Sequence, residues 1–138
     1  MKLSPVLLIV MISCQVFLAA GNEPAATSPA ILDKLEQIVA LRQRALDVAT
    51  VAAQEARNVN IYEYEIALCE ARIELAKARS QQDVVVDQLK KILTHQEVAH
   101  KMANLKYELG KVDVDVVLNW KIRMLETEVA IEKAVPAR

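Results

Sequence analysis

The sequence predicts an all-α fold: antiparallel long-helix hairpins of coiled-coil type, three or four helices in all, following a signal peptide. Three observations carry this. No Gly or Pro occurs between Ala30 and Leu109, where Ala, Leu, Glu, Lys, Arg and Gln dominate, all strong helix formers. Apolar residues recur three and four apart rather than alternating. Finally, one unusual joint occurs twice, Ala56-Arg57-Asn58-Val59-Asn60 and Leu109-Gly110-Lys111-Val112-Asp113. Placing Val59 on Val112 gives a degenerate repeat of about 53 residues, near the top of the range for stacked supersecondary units.

The chain begins with a leader over residues 1–20. Lys2 is its positive n-region, residues 6–18 form an almost unbroken apolar run, and Leu18-Ala19-Ala20-Gly21 offers small residues for cleavage. The run is short of the ~20 residues a membrane span needs. Met11-Ile12-Ser13-Cys14 resembles a bacterial lipobox, which makes Cys14 a lipidation candidate. Met11 fits that pattern poorly, and Val16-Phe17-Leu18 are apolar where a tether is normally polar. Cleavage near Ala20 or Gly21 is therefore preferred. The expected location is outside the cytoplasm, in the periplasm or at the outer-membrane periphery of a Gram-negative-type bacterium. Membrane contact is expected only if Cys14 is lipidated or the leader is retained.

Residues 21–30 are small and polar with two prolines, a flexible tether. The helical hairpin domain is then 31–138, with repeat units about 31–79 and 83–134. Ser28-Pro29 opens the first helix as N-cap and N1. Its seam is thin: Leu35, Ile38, Ala45, Ala49, Ala52 and Ala56, with Arg42 breaking one position. At the first joint, Asn58 and Val59 lead to Asn60, a cap with Glu63 at capping-box spacing. The second helix carries a stripe of Ile61, Tyr64, Leu68, Ala71, Leu75 and Ala78. A short connection makes these two helices antiparallel neighbours.

Ser80-Gln81-Gln82-Asp83 is ambiguous. It too has capping-box spacing, and the β-branched Val84-Val85-Val86 suits a helix opening better than an interior. An unbroken helix to Leu109 would instead run about 49 residues and roughly 73 Å. The break is preferred because folding back buries more apolar surface in a small chain. The third segment places Val85, Leu89, Ile92, Ala99, Met102 and Leu109 on its apolar side, with His95 and Gln96 interrupting. Gly110 supplies a left-handed C-cap. Asp113 caps the last helix, whose expected buried set is Val117, Leu118, Ile122, Leu125 and Val129. Pro136 stops it.

Little in the sequence suggests chemistry. The 17 basic residues less Lys2 stand against 18 acidic ones, interspersed as on a solvated helical surface, so no nucleic-acid partner is expected. His95 and His100 lie about 140° apart around a helix. Glu97 and His100 have the Glu-x-x-His spacing of di-iron bundles, but such sites need two copies and here there is one. A solvated face is the expected reading. No phosphate loop, paired-Cys site or nucleophile–base set is visible, so no cofactor, metal or enzymatic activity is expected. Cys69 follows Leu68 on the apolar side and is expected to be buried rather than available for an intermolecular bond. Trp120, the one Trp, is either a core anchor of the second hairpin or a partner contact.

Tyr107-Glu108-Leu109-Gly110-Lys111-Val112-Asp113-Val114-Asp115-Val116-Val117-Leu118, followed by Leu125-Glu126-Thr127-Glu128-Val129-Ala130, resembles the helix-tip segment of outer-membrane efflux proteins of the TolC type. Gly110, Val112, Asp115, Val117 and Leu118 sit where that family's Gly-x-Val joint and Asp-Val-Leu opening place their residues. The layout is similar to planctomycete forms with tandem hairpins. This resemblance implies a periplasmic coiled-coil hairpin with Asn58, Val59, Asn60, Gly110, Val112, Asp113 and Asp115 at its joints. It implies a helical partner, or a homo-oligomer, in the cell envelope. Full efflux proteins are several times longer and carry strands that are not readable here, so pore formation and export do not carry over. A competing reading is a periplasmic chaperone-like or stress-sensing helical protein. Leu93-Thr94-His95-Gln96 comes near the Leu-Thr-x-x-Gln motif of Spy-like chaperones, one residue short.

Overall fold

The computed structural model describes residues 26–55 and 60–135. Four helices follow in order: α1 (Pro29–Gln54), α2 (Ile61–Ala78), α3 (Gln82–Glu108) and α4 (Val114–Ala134). They pack antiparallel in sequence-adjacent pairs. The leader with Cys14, most of the tether, Asn58, Val59 and Pro136 lie outside the described residues.

The helices form a row: α1 packs on α2, α2 on α3 and α3 on α4, with no comparable α1/α4 pairing. Helices α1 and α4 are therefore its outer members. The main core joins α2, α3 and α4 through Ile66, Cys69, Ile73, Ala76, Val85, Ile92, Ala99, Val117 and Trp120, with Tyr62, Val84 and Leu89 packed against it. Ala49, Leu68 and Ala71 are buried outside that cluster. Leu68 and Ala71 share the side of α2 from which Arg72 reaches Gln43 and Arg79 reaches Glu36 on α1, and Ala49 is the buried residue of α1.

Helix α2 is thus buried on two faces. The Leu68–Ala71 stripe read from the sequence, with Leu75 partly buried, meets α1, whereas Ile61 lines the α3/α4 side and Tyr64 is exposed. A second stripe of Ile66, Cys69, Ile73 and Ala76 meets α3 and α4. A helix between two partners needs two apolar faces, and a single-seam reading finds one of them.

The chain does break near Ser80, but Ser80 does not cap α3. It ends α2 in the left-handed region, with φ 56. Gln81 N–H donates to Ala76 O at 2.9 Å and Ser80 N–H to Lys77 O at 3.0 Å, the hydrogen bonds of a Schellman terminator. Gly110, at φ 66, ends α3 the same way: Lys111 N–H donates to Lys106 O and Gly110 N–H to Tyr107 O, both at 2.8 Å.

Ser28 caps α1 as expected, its Oγ accepting from Ile31 N–H at 3.4 Å, with Pro29 following. Asn60 and Asp113 occupy N-cap positions, but neither side chain makes a capping bond. Glu63 does not reach back to Asn60, because its carboxylate is taken by Arg123 of α4 at 2.6 and 3.0 Å. A two-pronged charge-assisted bond outcompetes a single contact to a backbone N–H.

The buried faces of α3 and α4 differ from the expected ones. In α3, Gln88 and Gln96 are buried while Met102 and Leu109 are exposed. Gln96 therefore continues the stripe Val85, Ile92, Ala99, Ala103 instead of interrupting it. In α4, the buried residues are Val117, Trp120, Met124 and Thr127. The expected seam members Leu118, Ile122 and Leu125 are exposed at 56%, 54% and 48%. Trp120 decides the rotation. Its indole is the largest apolar surface on α4, and burying it turns the Leu118 side toward solvent.

Candidate helix-interaction surfaces

The up-down-up-down course brings Asn60, at the start of α2, and the second joint to one end of the row. Asn60 and Ile61 at the start of α2, and Val112 and Val116 at the start of α4, line one cleft with Trp120 and Met102. Asp115 braces the opening of α4, its Oδ1 accepting from Val116 N–H at 2.9 Å. Ser80 lies at the opposite end.

Near the joint end, α4 is clamped to α2. The Arg123 guanidinium lies 4.3 Å over the Trp120 ring while its two terminal nitrogens hold both Glu63 oxygens. A cation over an indole face contributes about 0.5–1 kcal/mol at an exposed site. Of the two roles left open for Trp120, the core anchor is the one it fills, at 7% exposure.

The residues singled out in the sequence make the following contacts. His95 Nδ1 lies 2.9 Å from Glu65 of α2. Thr94 Oγ1 donates to Lys90 O, and His100 Nε2 meets Asn104 at 3.4 Å. Cys69 is buried, and burial pushes its thiol above the ordinary range despite the opposing fields of Arg72 and Lys91. A protonated, enclosed thiol is a packing residue. Gln88 and Gln96 each leave a buried Oε1 without a hydrogen-bond partner, and a polar cleft between α2, α3 and α4 reaches Gln96 beside Glu70, Arg123 and Thr127. Among the described residues no three His, Cys, Asp or Glu side chains gather as a metal site, and no helix is long and apolar enough to cross a membrane.

What remains unpartnered is apolar. On α4, Val114, Leu118, Ile122, Leu125 and Val129 are all about half exposed. Their spacing of four, four, three and four makes one stripe, about 140° around the helix from the buried face. On α1, Ile31, Ile38, Leu41 and Val48 are exposed at spacings of seven, three and seven, the a and d positions of a heptad. Leu41, Ala45, Val48 and Ala52, with Tyr64 of α2, line a shallow apolar groove. Thus Leu118, Ile122 and Leu125, expected in the hairpin seam, share one apolar stripe that faces outward. Leu68 and Ile92 are buried, and Ile61, Leu75 and Leu89 partly so, within the chain.

Comparison with family models, with curated proteins and with solved structures finds no match to this chain.

Proposed function

We propose that this is a non-enzymatic coiled-coil protein of the cell envelope, in the periplasm or at the outer-membrane periphery. In this reading it resembles the helical part of TolC-type efflux proteins and works through helix–helix contacts with itself or with an envelope complex. The observation that carries the reading is the outward stripe of α4. Five half-exposed β-branched or Leu residues on one helical face exceed the scattered apolar residues normal on a surface, and a continuous apolar face is what a partner helix packs on. Export rests on Lys2, the apolar run 6–18 and the small residues before Gly21.

Crosslinking in envelope fractions, followed by capture and mass spectrometry, tests the contact. A photocrosslinker at Leu118 or Ile122 should trap a helical envelope protein or a second copy, whereas one at Asp83 should trap neither. Intact mass of the periplasmic form should show a start near Gly21 or Asn22. A cytoplasmic protein with its leader intact would defeat the assignment, and a diacylglyceryl group on Cys14 would make the protein a lipoprotein.

A further inference from the structure

We infer that the partner for these stripes is a second copy of the chain, with α1 of one copy seated on α4 of the other. This rests on the helix-contact reading above and names its partner. Three properties of the two outer helices are complementary.

The first is length. The α1 stripe runs over residues 31–48 and the α4 stripe over residues 114–129, roughly 26 and 23 Å at 1.5 Å per residue, so one can lie along the other. The second is shape. Ala45 and Ala52 floor the groove on α1, walled by Leu41, Val48 and Tyr64. The α4 stripe is a ridge of Leu118, Ile122, Leu125 and Val129, and ridges pack into grooves.

The third is charge. Lys34, Arg42 and Arg44 lie in or beside the α1 stripe, all exposed. Asp33 and Glu36 sit on the far side of α1, bonded to Gln37 and Arg79. Asp47, which accepts from Gln43, and Glu55 flank only the last turn of the stripe, beside Val48 and Val51, so the stripe keeps a basic excess. On α4 the stripe is bordered by Asp115, Glu126, Glu128 and Glu132 against Lys121 and Lys133, an acidic excess. Lys34, Arg42 and Arg44 on α1, and Asp115, Glu126, Glu128, Glu132, Lys121 and Lys133 on α4, are in no ion pair among the described residues. A basic groove and an acidic ridge attract each other, while α1 on α1 would set basic borders against basic ones, which is disfavoured. The contact is heterologous, so it either closes reciprocally into a dimer or extends into a ring or filament.

The test uses the full chain as recovered from cells, with sedimentation velocity and light scattering at two salt concentrations. Wild type should self-associate, more weakly at high salt. Leu41→Asp with Val48→Asp on α1, or Leu118→Lys with Ile122→Lys on α4, should each weaken association about 100-fold. Circular dichroism checks that the helices persist. Mixing the two double variants should recover a complex containing one chain of each, because one intact α1 then meets one intact α4. Arg42→Glu with Arg44→Glu should weaken association about 10-fold, and adding Glu126→Lys with Glu128→Lys should restore it. These surface exchanges keep the test open if the apolar variants unfold.

Association lost through one helix only, no recovery on mixing, or a wild type monomeric up to about 0.1 mM would overturn the inference. If that monomer still crosslinks an envelope protein through Leu118, the broader function stands and self-association falls. If nothing is trapped at either stripe, both fall.

Discussion

The two outer helices of the row are held by different means. Helix α4 docks with an aromatic anchor: Trp120 is buried in the core cluster with Val117, and Arg123 ties the same spot to Glu63. Helix α1 has no such anchor: Ala49 is its one buried residue, and Leu32, Leu35, Val39 and Leu46 beside it are only partly buried. Arg72–Gln43 and the half-exposed Arg79–Glu36 pair add polar links. A large aromatic buries several times the area of an alanine, and a surface ion pair contributes ~0–1 kcal/mol. Two helices in equivalent positions can therefore differ in how firmly they are attached, and the expectation is that α4 belongs to the cooperative core while α1 opens first.

Removing the anchor should have the largest effect. Trp120→Ala should cost about 3–5 kcal/mol, a large share of a small domain's stability, and should lower the thermal midpoint of all four helices together. A mild loss confined to α4 would mean that Trp120 is not the keystone and that the two outer helices are alike.

Next in size is Leu68→Asp, which places a charge on the α2 face that meets α1. An unpaired buried charge is strongly unfavourable, yet the cost is capped at whatever holds α1 in place, because detaching α1 lets water reach the carboxylate. About 2–4 kcal/mol is expected on this account. Hydrogen exchange should show protection lost in Pro29–Gln54 and kept in Gln82–Glu108. Equal loss in every helix would place α1 within the core.

The smallest effects concern the two helix terminators, which share a hydrogen-bond pattern but not a residue. Gly110→Val should cost about 1–2 kcal/mol through its left-handed φ alone, since nothing lies within 4 Å of a Cβ added there. Ser80→Gly, at φ 56, should instead stabilise by up to about 1 kcal/mol. Denaturant melts of both variants give the signs. Spin labels at Ala99 and Leu125 report whether the joint survives Gly110→Val: near one another in the hairpin, roughly 39 Å apart in a fused rod. A long distance in the native chain would remove the joint itself.

The terminators also show what was legible beforehand. Gly110 announces a left-handed position by its residue type, since glycine alone adopts it without a steric cost. Ser80 carries no such signal. It reads as an N-cap, and its role as a terminator comes from α3 packing back on α2. The Asn60–Glu63 capping box fails for a similar reason: Glu63 has a better partner in Arg123, 60 residues away. In α4, apolar residues populate two faces, so periodicity offered Leu118, Ile122 and Leu125 as readily as Trp120 and Met124. The signal that could have chosen between them is the size of Trp120.

By itself the sequence determined that this chain is helical, where α1 begins, that α3 ends at Gly110, and that α2 carries an apolar stripe through Leu68. All of these follow from local propensity, backbone freedom and spacing, which act over a few residues. The tertiary structure decided which face of α4 turns inward, that Gln88 and Gln96 enter the core, that α2 is buried on two sides, and that apolar stripes on α1 and α4 are left for a partner. Those outcomes depend on how four helices share a limited apolar surface. That competition is settled between residues far apart in the chain, so no local window contains it.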